Sequence, residues 1–339
     1  RQPMSTTTQV VLPKRVFITG ANGFIGRALA ARYRHLGAEV CGIDFTADAQ
    51  WNVVVGDVRE PGKWREQLSG VDLVIHAAAV VSMVAPMRAA WDVNCNGTRR
   101  LLTACREQGV ARFVQISSVA AFGFDFPANV AESHPLITNG NSYVDTKITS
   151  EHTVLAAHAG GEMDCTIIRP GDVYGPASRA WVIVPLEMMK TRQFVLPAGG
   201  RGVFSPVYID DLLDGIVLAA GKPEGAGHVF TLTSGVGVSC AEFFGYHWRW
   251  LDKQGSPPSV PTGLAIALAA MLGQIGLPGG GFGFGYGATG GIGSPYPRMP
   301  SPQLSIGANA VQAYIPTARF SDMLLNPGAT FDFRGRRLT

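Results

Sequence analysis

Tyr143 and Lys147 stand four residues apart in SYVDTKITSEHT. On a helix that spacing puts both side chains on one face. A tyrosine is a poor base near neutral pH, because its phenol loses a proton only at a pKa of ~10. A lysine ammonium beside it favours the phenolate and lowers that value. Such a phenolate can take the proton of a substrate hydroxyl as a hydride leaves the adjoining carbon, and in the reverse direction it returns the proton. Ser118, the second serine of FVQISS, closes an apolar run. Its hydroxyl can hydrogen-bond the reacting oxygen and hold it near Tyr143. Taken alone, Tyr-x-x-x-Lys describes many exposed helix faces. Ser118, Tyr143 and Lys147 become catalytic candidates only if the chain also binds a hydride carrier.

TGANGFIG, residues 19–26, supplies that carrier site. The β-branched run RVFIT precedes it, and a segment of helical periodicity, Phe24 to His35, follows it. Gly20 permits the tight turn, Gly23 lets a pyrophosphate approach the backbone, and Gly26 lets the helix pack closely on the strand. The helix start offers unpaired N–H groups and a positive dipole end to the phosphates, so Asn22, Phe24 and Ile25 join the glycines as cofactor-binding candidates. Asp44 closes the second strand at the ~20-residue distance where a carboxylate accepts the adenosine ribose hydroxyls. It would repel a 2′-phosphate, which selects NAD over NADP. Asp57 can hold the adenine amino group. Ala77, Ala78 and Ala79 let the cofactor pass close to the fourth strand.

The elements that must position these residues alternate. Strands are expected at 15–19, 38–44, 53–58, 71–79, 113–118 and 165–170, with helices between them, notably over 86–108 and 142–159. Near-continuous apolar strands alternating with helices imply a parallel sheet covered on both faces. Residues 13–175 therefore read as a Rossmann-like, doubly wound α/β domain that binds NAD. Residues 176–262 read as a smaller substrate-binding region, with helices near 182–190, 211–220 and 240–251 and strands near 203–209 and 228–233. Asp210 and Asp211 read as caps of the helix that follows them.

Composition narrows the function class. The net charge is +3 over 339 residues and the basic residues are scattered, which leaves no footprint for nucleic acid. The five cysteines, Cys41, Cys95, Cys105, Cys165 and Cys240, form no C-x-x-C pair and imply a reducing compartment without a zinc site. His76, His134, His152, His158, His228 and His247 have no metal-ligand spacing and read as structural or exposed. No signal-peptide core stands in RQPMSTTTQVVLPKR, so a cytoplasmic location is expected. LAIALAAMLGQIGL, 264–277, is shorter than the ~20 residues of a membrane span, and membrane contact is not expected.

TGANGFIG, Asp57-Val58, HAAA (76–79), NCNGT (94–98), Ser117-Ser118, YVDTK (143–147) and RPGDVYGP (169–176) occur in that order. Together they resemble the extended short-chain dehydrogenase/reductases, the NAD-dependent epimerase/dehydratase group, over about residues 13–260. The resemblance implies further cofactor contacts at Val58, Asn94, Tyr143, Lys147, Pro170 and Val173, and a homodimer formed through the helices near 86–108 and 142–159. It gives Asn94 a part in ordering water and the active site; a helix N-cap explains that residue equally well.

In the dehydratases of this group an acidic pair follows the catalytic serine or threonine. Val119, Ala120, Ala121 and Phe122 follow Ser118, so dehydration is not expected. Arg201 is a candidate phosphate contact, but Ser205-Pro206 stand where nucleotide-sugar epimerases carry an Arg-Asp type of entry. Trp181, Val182, Val184, Leu186, Met188 and Met189 are either core or the apolar lining of a pocket. As lining they fit an apolar alcohol or ketone better than a sugar diphosphate, which resembles the 3β-hydroxysteroid dehydrogenase branch. The expected function is hydride transfer between NAD and a secondary alcohol or ketone. A nucleotide-sugar epimerase is one alternative. A non-catalytic NAD-binding regulator is another, although such regulators commonly lose the Tyr–Lys pair that is intact here.

Residues 263–339 break the pattern. The stretch GLPGGGFGFGYGATGGIG (276–293) has no strand entering it and no helix leaving it. With IPTARFSDMLLNPGATFDFRGRRLT it resembles a fragment of the molybdopterin-dependent oxidoreductases of the dimethyl-sulfoxide-reductase type. No molybdenum ligand can be carried over, and no molybdenum cofactor is expected. The segment reads as a foreign or diverged, poorly packed piece joined near residue 265 to a truncated dehydrogenase, because so glycine-rich a stretch cannot easily offset an ordering cost of about 1–2 kcal/mol per residue.

Overall fold

The computed structural model describes residues 10–83, 85–123, 126 and 130–264, together with the backbone of 330, 331, 337 and 338. Its first elements are β1 (Arg15–Thr19), α1 (Phe24–His35), β2 (Glu39–Asp44), β3 (Val53–Val55) and β4 (Leu73–His76). There follow α2 (Met87–Trp91), α3 (Thr98–Glu107), β5 (Arg112–Ile116), α4 (Ser142–Ala159) and β6 (Asp164–Pro170). Beyond these lie β7 (Asp172–Tyr174), α5 (Val184–Lys190), β8 (Leu196–Pro197), β9 (Val203–Phe204), β10 (Pro206–Tyr208) and α6 (Ile209–Gly221). The last are β11 (Val229–Leu232), β12 (Val238–Ser239), α7 (Cys240–Trp250) and β13 (Ser259–Val260).

Seven strands form one sheet in the order β11-β6-β5-β4-β1-β2-β3. The registers from β3 to β6 are parallel. At the far edge Ile167 N–H donates to His228 O and Gly171 N–H to Leu232 O, a rise of four on each strand that makes β11 parallel too. This is the expected Rossmann-like doubly wound sheet. Its strands are buried on both faces, Val16, Phe17, Ile18, Val74 and Ile75 being fully inaccessible, as helix-covered parallel strands must be. The sequence placed the ends of several strands too late: β3 stops at Val55, β4 at His76 and β5 at Ile116. The residues beyond them form the loops at the carboxyl edge of the sheet, where doubly wound folds bind ligands.

The chain divides into two compact units. The first comprises Arg1–Ala121, Ile137–Arg169 and Asp210–Phe230; the second comprises Phe122–Leu136, Pro170–Ile209 and Thr231–Thr339. The core of the first is built from Phe17, Trp64, Leu68, Leu101, Phe113, Val154 and their neighbours. Phe204, Phe243, Phe244, Tyr174 and Met189 form the core of the second, with Trp181, Val182 and Met188 packed against it. Phe204 stacks on Phe243 with centroids 4.0 Å apart, and Trp181 meets Phe204 edge-on at 4.7 Å. Of the two readings of the apolar stripe, Trp181, Val182, Met188 and Met189 thus take the core one.

Two local expectations are corrected. The helix expected over 86–108 is interrupted by a π-helical turn, Asp92–Gly97, between α2 and α3. A Cβ on Gly97 would come within 2.7 Å of Val58 Cγ2, and the bulge brings the glycine to that contact. Asp210 and Asp211 lie inside the first turn of α6 rather than capping it. There they complement the helix dipole, and Arg32 on α1 pairs with Asp210 at 3.6 Å and also with Asp214. All five cysteines are buried free thiols. Among the described residues no helix is long and apolar enough to cross a membrane. The glycine stretch and nearly all of 263–339 lie outside the described residues, apart from a backbone pairing of Thr330–Phe331 with Arg337–Leu338.

Tyr33 on α1 is 1% exposed and its hydroxyl has no hydrogen-bond partner among the described residues. An unsatisfied buried hydroxyl costs about 1–3 kcal/mol. Tyr33→Phe is therefore expected to raise stability by about 1 kcal/mol in urea unfolding. A loss of that size instead would show that the hydroxyl holds a buried water.

Candidate active site

The glycine turn has little room. Gly20 adopts φ +68°, and a Cβ there would lie 2.9 Å from the Ala78 backbone. A Cβ on Gly26 would overlap the Gly20 carbonyl oxygen, and one on Gly23 would lie 3.2 Å from it. The three glycines and Ala77–Ala78 therefore form one cradle of bare backbone. α1 starts at Phe24 with no side-chain cap and no acid in its first turn, so the N–H groups at Phe24, Ile25 and Gly26 face the turn without a side chain over them. A diphosphate fits such a cradle. Asp44, at the end of β2, accepts the Asn22 N–H at 2.9 Å and its neighbour Phe45 N–H at 2.7 Å. An ionised carboxylate has about four acceptor positions, which leaves room for two ribose hydroxyls. Asp57 is engaged otherwise, by bidentate pairing with Arg59 at 2.6–3.1 Å, and that guanidinium holds its carboxyl below the usual range. Val58 is buried against Gly97.

Asn141 caps α4 by accepting the N–H groups of Tyr143 and Val144, at 3.0 and 3.2 Å. This fixes Tyr143 in the first turn, where it is 7% exposed. Lys147 follows one turn later on the same face, its Nζ 5.7 Å from the centre of the Tyr143 ring. Lys147 is buried and donates to the Ile116 carbonyl at 2.9 Å, which places its charge at the carboxyl end of β5. Burial pushes its pKa down to about 8, against an opposing pull from Glu151. Ser118, half-buried, lies two residues beyond that carbonyl, and its Oγ accepts the Ala120 N–H at 3.1 Å. The expected pair is thus brought together on one helix face, and Ser118 stands on the strand end to which Lys147 is tied. Pro170 and Val173 belong to the second unit, where the Val173 carbonyl accepts the Ser178 hydroxyl at 3.1 Å.

Sequence reasoning missed the residues that hold this arrangement. Glu151, one turn past Lys147, is buried and accepts both Nε and Nη2 of Arg169, the latter at 2.7 Å. The Ser117 hydroxyl donates to the same carboxylate at 2.5 Å. Successive residues of the β5 end are thus pinned to α4, Ile116 by Lys147 and Ser117 by Glu151. The signal was present, since Tyr143, Lys147 and Glu151 repeat one four-residue spacing.

Asn94 caps no helix. It lies in the π-helical turn, 3% exposed, where its Oδ1 accepts the Val80 N–H and its Nδ2 donates to Val80 O and Thr146 Oγ1, all at 2.8–3.1 Å. It ties the loop after Ala79 to α4. His76, set aside by the sequence as structural, anchors the start of that loop. Thr98 Oγ–H donates to Asn94 O at 2.6 Å, so its oxygen is free to accept His76 Nε2–H at 3.0 Å. Nδ1 is then the bare nitrogen and accepts Thr19 Oγ–H at 2.7 Å, and the Thr19 oxygen accepts the Ala78 N–H at 3.2 Å. Every polar atom of this chain is satisfied by a neutral ring. Burial, with the Lys147 charge, pushes the His76 pKa down to about 3.

With this geometry established, comparison with known proteins settles the family. The family model described as the NAD dependent epimerase/dehydratase family matches residues 16–232. The chain belongs to that family. It is 34% identical over 271 residues to the sterol demethylase protein B of Methylococcus capsulatus, covering 74% of this chain and 79% of that one. It is 29% identical over 269 residues to the 4-hydroxy-2-methyl-3-oxo-4-farnesyl-3,4-dihydroquinoline-1-oxide ketoreductase of Stigmatella aurantiaca (77% and 80% covered). A 3-beta-hydroxysteroid dehydrogenase of Mycolicibacterium neoaurum is 27% identical over 249 residues, 68% of each chain. Among solved structures, a short-chain dehydrogenase/reductase superfamily protein from Agrobacterium tumefaciens with bound NAD has a TM-score of 0.62 at 27% identity, covering 73% of this chain and 84% of that one. A partial match of 86 residues, 25% of this chain, is 49% identical to the biotin sulfoxide reductase of Cereibacter sphaeroides and covers 12% of that protein. It fits the second resemblance seen in the sequence. The family's cofactor is NAD, and the cradle of bare backbone fits it.

Two measurements probe the buried supports. Glu151→Ala strips Arg169 of a buried counter-charge and is expected to cost about 3–5 kcal/mol in urea unfolding; a cost below about 1 kcal/mol would mean that water reaches Arg169. For His76, the unfolded ring takes up a proton below its ordinary value of 6.5, while the folded ring stays neutral down to about 3. The unfolded chain therefore binds more protons in that window, and stability falls there by up to about 1.4 kcal/mol per pH unit as pH drops. His76→Gln is expected to begin less stable at pH 7 and to lose part of this slope; an unchanged slope would clear His76 of the effect.

Proposed function

We propose that the protein is an NAD-dependent oxidoreductase that interconverts a secondary alcohol and its ketone on a largely apolar, hydroxysteroid-like or prenylated substrate. The observation that carries the reading is the buried Tyr143–Lys147 pair on α4, tied to the strand end that bears Ser118. NAD, when bound, supplies the acceptor for the hydride. The chain's own residues manage the proton. The Lys147 ammonium stabilises the Tyr143 phenolate. Tyr143 Oη takes the substrate hydroxyl proton as the carbinol C–H bond breaks and its electron pair departs, and the C–O bond becomes a carbonyl. Ser118 Oγ donates a hydrogen bond to that oxygen and keeps it in line with Tyr143. Gly20, Gly23, Gly26 and Asp44 hold the cofactor in this reading, with Ala77–Ala79 beneath it.

Two features favour oxidoreduction of an apolar substrate. The residues after Ser118, Val119 to Phe122, form a buried short helical turn with no acid to perform an elimination. The names of three relatives specify a sterol, a farnesyl-bearing quinoline oxide and a hydroxysteroid, all chemically bulky and apolar.

Tyr143→Phe is expected to lower kcat at least about a hundredfold while NAD binding persists. NAD reduction with a panel of sterols and prenylated alcohols reads the first, and titration calorimetry the second. Lys147 is protonated below about 8, so its support of the phenolate is present below that pH and lost above it. A wild type that binds NAD tightly yet turns over no member of the panel in either direction would overturn the reading in favour of a non-catalytic NAD-binding protein.

A further inference from the structure

The cofactor turn carries a cation that the reaction does not use. Arg27 follows Gly26, and its guanidinium folds back to the turn. Nη2 donates to Asn22 Oδ1 at 2.6 Å and to Asp48 Oδ2 at 2.8 Å. The guanidinium lies over the Trp51 ring, 4.8 Å from its centre, and Arg34 lies 4.6 Å from the same centre. Nη1 is buried without a partner among the described residues. Asn22 joins this cation to the acid of the site, because its N–H donates to Asp44 while its side-chain oxygen accepts from Arg27. A carboxylate and a guanidinium of opposite preference thus sit two hydrogen bonds apart. A phosphate on the adenosine ribose would be repelled by Asp44 and attracted by Arg27, whose planar fork suits phosphate.

Asp48 decides between them. Its Oδ2 occupies Arg27, its Oδ1 accepts the Trp51 N–H at 3.4 Å at the start of a short helical turn, and its backbone bridges to Val53. Both side chains are about one-third exposed, at 30% and 32%, so the pair adds little to stability. Its effect on where the guanidinium points, and on how much charge it presents, is larger.

We propose that Asp48 is a specificity residue: it holds Arg27 as a neutralised pair on the turn, so that Asp44 is the charge a 2′-substituent meets, and without it the same turn accepts a 2′-phosphate. This rests on the reading of Gly20–Asp44 as the NAD site. The test compares 5′-AMP with adenosine 2′,5′-bisphosphate by titration calorimetry on the whole chain. Asp48→Asn keeps an oxygen for the Trp51 N–H and removes the charge, and Asp48→Ser serves as a second capping variant. The wild type is expected to prefer AMP. Asp48→Asn is expected to raise the affinity ratio of bisphosphate to AMP roughly tenfold, the size of one charge-assisted hydrogen bond. Arg27→Ala in the Asp48→Asn background is expected to cancel the rise. An unchanged ratio in both capping variants, or a rise that survives Arg27→Ala, overturns the inference and leaves the NAD reading standing. A wild type that prefers the bisphosphate overturns the NAD reading, and the inference with it.

Discussion

A buried ammonium must be given a place, and the position of Lys147 governs the rest of the site. It is 4% exposed and spends a hydrogen bond on the Ile116 carbonyl, the last of β5. That bond registers α4 against the sheet edge. Glu151 makes a second tie one residue further along the strand through Ser117, and its carboxylate is in turn paired with Arg169 on β6. Three elements are joined by charges removed from water, where such bonds have few competitors. Ser118 follows directly from the two pinned residues, and Tyr143 lies one turn before the pinning lysine. The placing of Tyr143 beside Lys147, and of Ser118 just beyond the strand end, is therefore tied to how the lysine charge is housed. The same burial pushes Lys147 down to about 8, so that it is still charged at neutral pH but only narrowly.

The cofactor side is built by the opposite means, from what side chains are missing. Gly20 lies so close to Ala78 that a Cβ would collide with its backbone. The loop after β4 is held there by a neutral histidine reading two threonine hydroxyls. Burial keeps His76 neutral, its pKa pushed down to about 3, and the neutral ring accepts from Thr19 and completes the directed chain of hydrogen bonds from Ala78 to Asn94. At its other end Asn94 grips Val80 and Thr146, which links the cofactor loop to the helix of Tyr143.

The sequence made the fold legible where local signals and tertiary demand agree. β1, α1 and α4 fall where the alternation of strand and helix patterns puts them. The π-helical turn at Asp92–Gly97 was invisible, since local periodicity carries no sign of the close approach of Gly97 to Val58, residues far apart in the chain. Tyr143, Lys147, the glycines and Asp44 could be singled out as candidates because residue type and spacing are read directly from the sequence. Glu151 showed only as a repeat of the same spacing, and the roles of Ser117, His76 and Arg27 were not legible, because each acts through another residue and such a role exists only once the fold brings the two together. Asn94 shows the boundary: the sequence offered a cap or a water-ordering role, and in the fold its amide joins a loop to a helix.

The division between shared and particular chemistry follows from these supports. Among the described residues, Asn141, Ile116 and Glu151, which position Tyr143 and Lys147, lie in the unit that carries most of the sheet, and the arrangement would suit any reaction that begins with removal of a hydride and a hydroxyl proton. The surroundings of Ser118 are more particular. Val119, Ala120 and Ala121, at most 3% exposed, fill the positions after Ser118 with methyl groups. An isolated carboxylate in that packing would carry a desolvation cost of several kcal/mol without a counter-charge. At the end of β5, Glu151 accepts from the Ser117 hydroxyl and Lys147 donates to the Ile116 carbonyl. The buried methyl groups after Ser118 are thus the feature of this site that bears most directly on the proposed reaction, one hydride and one proton.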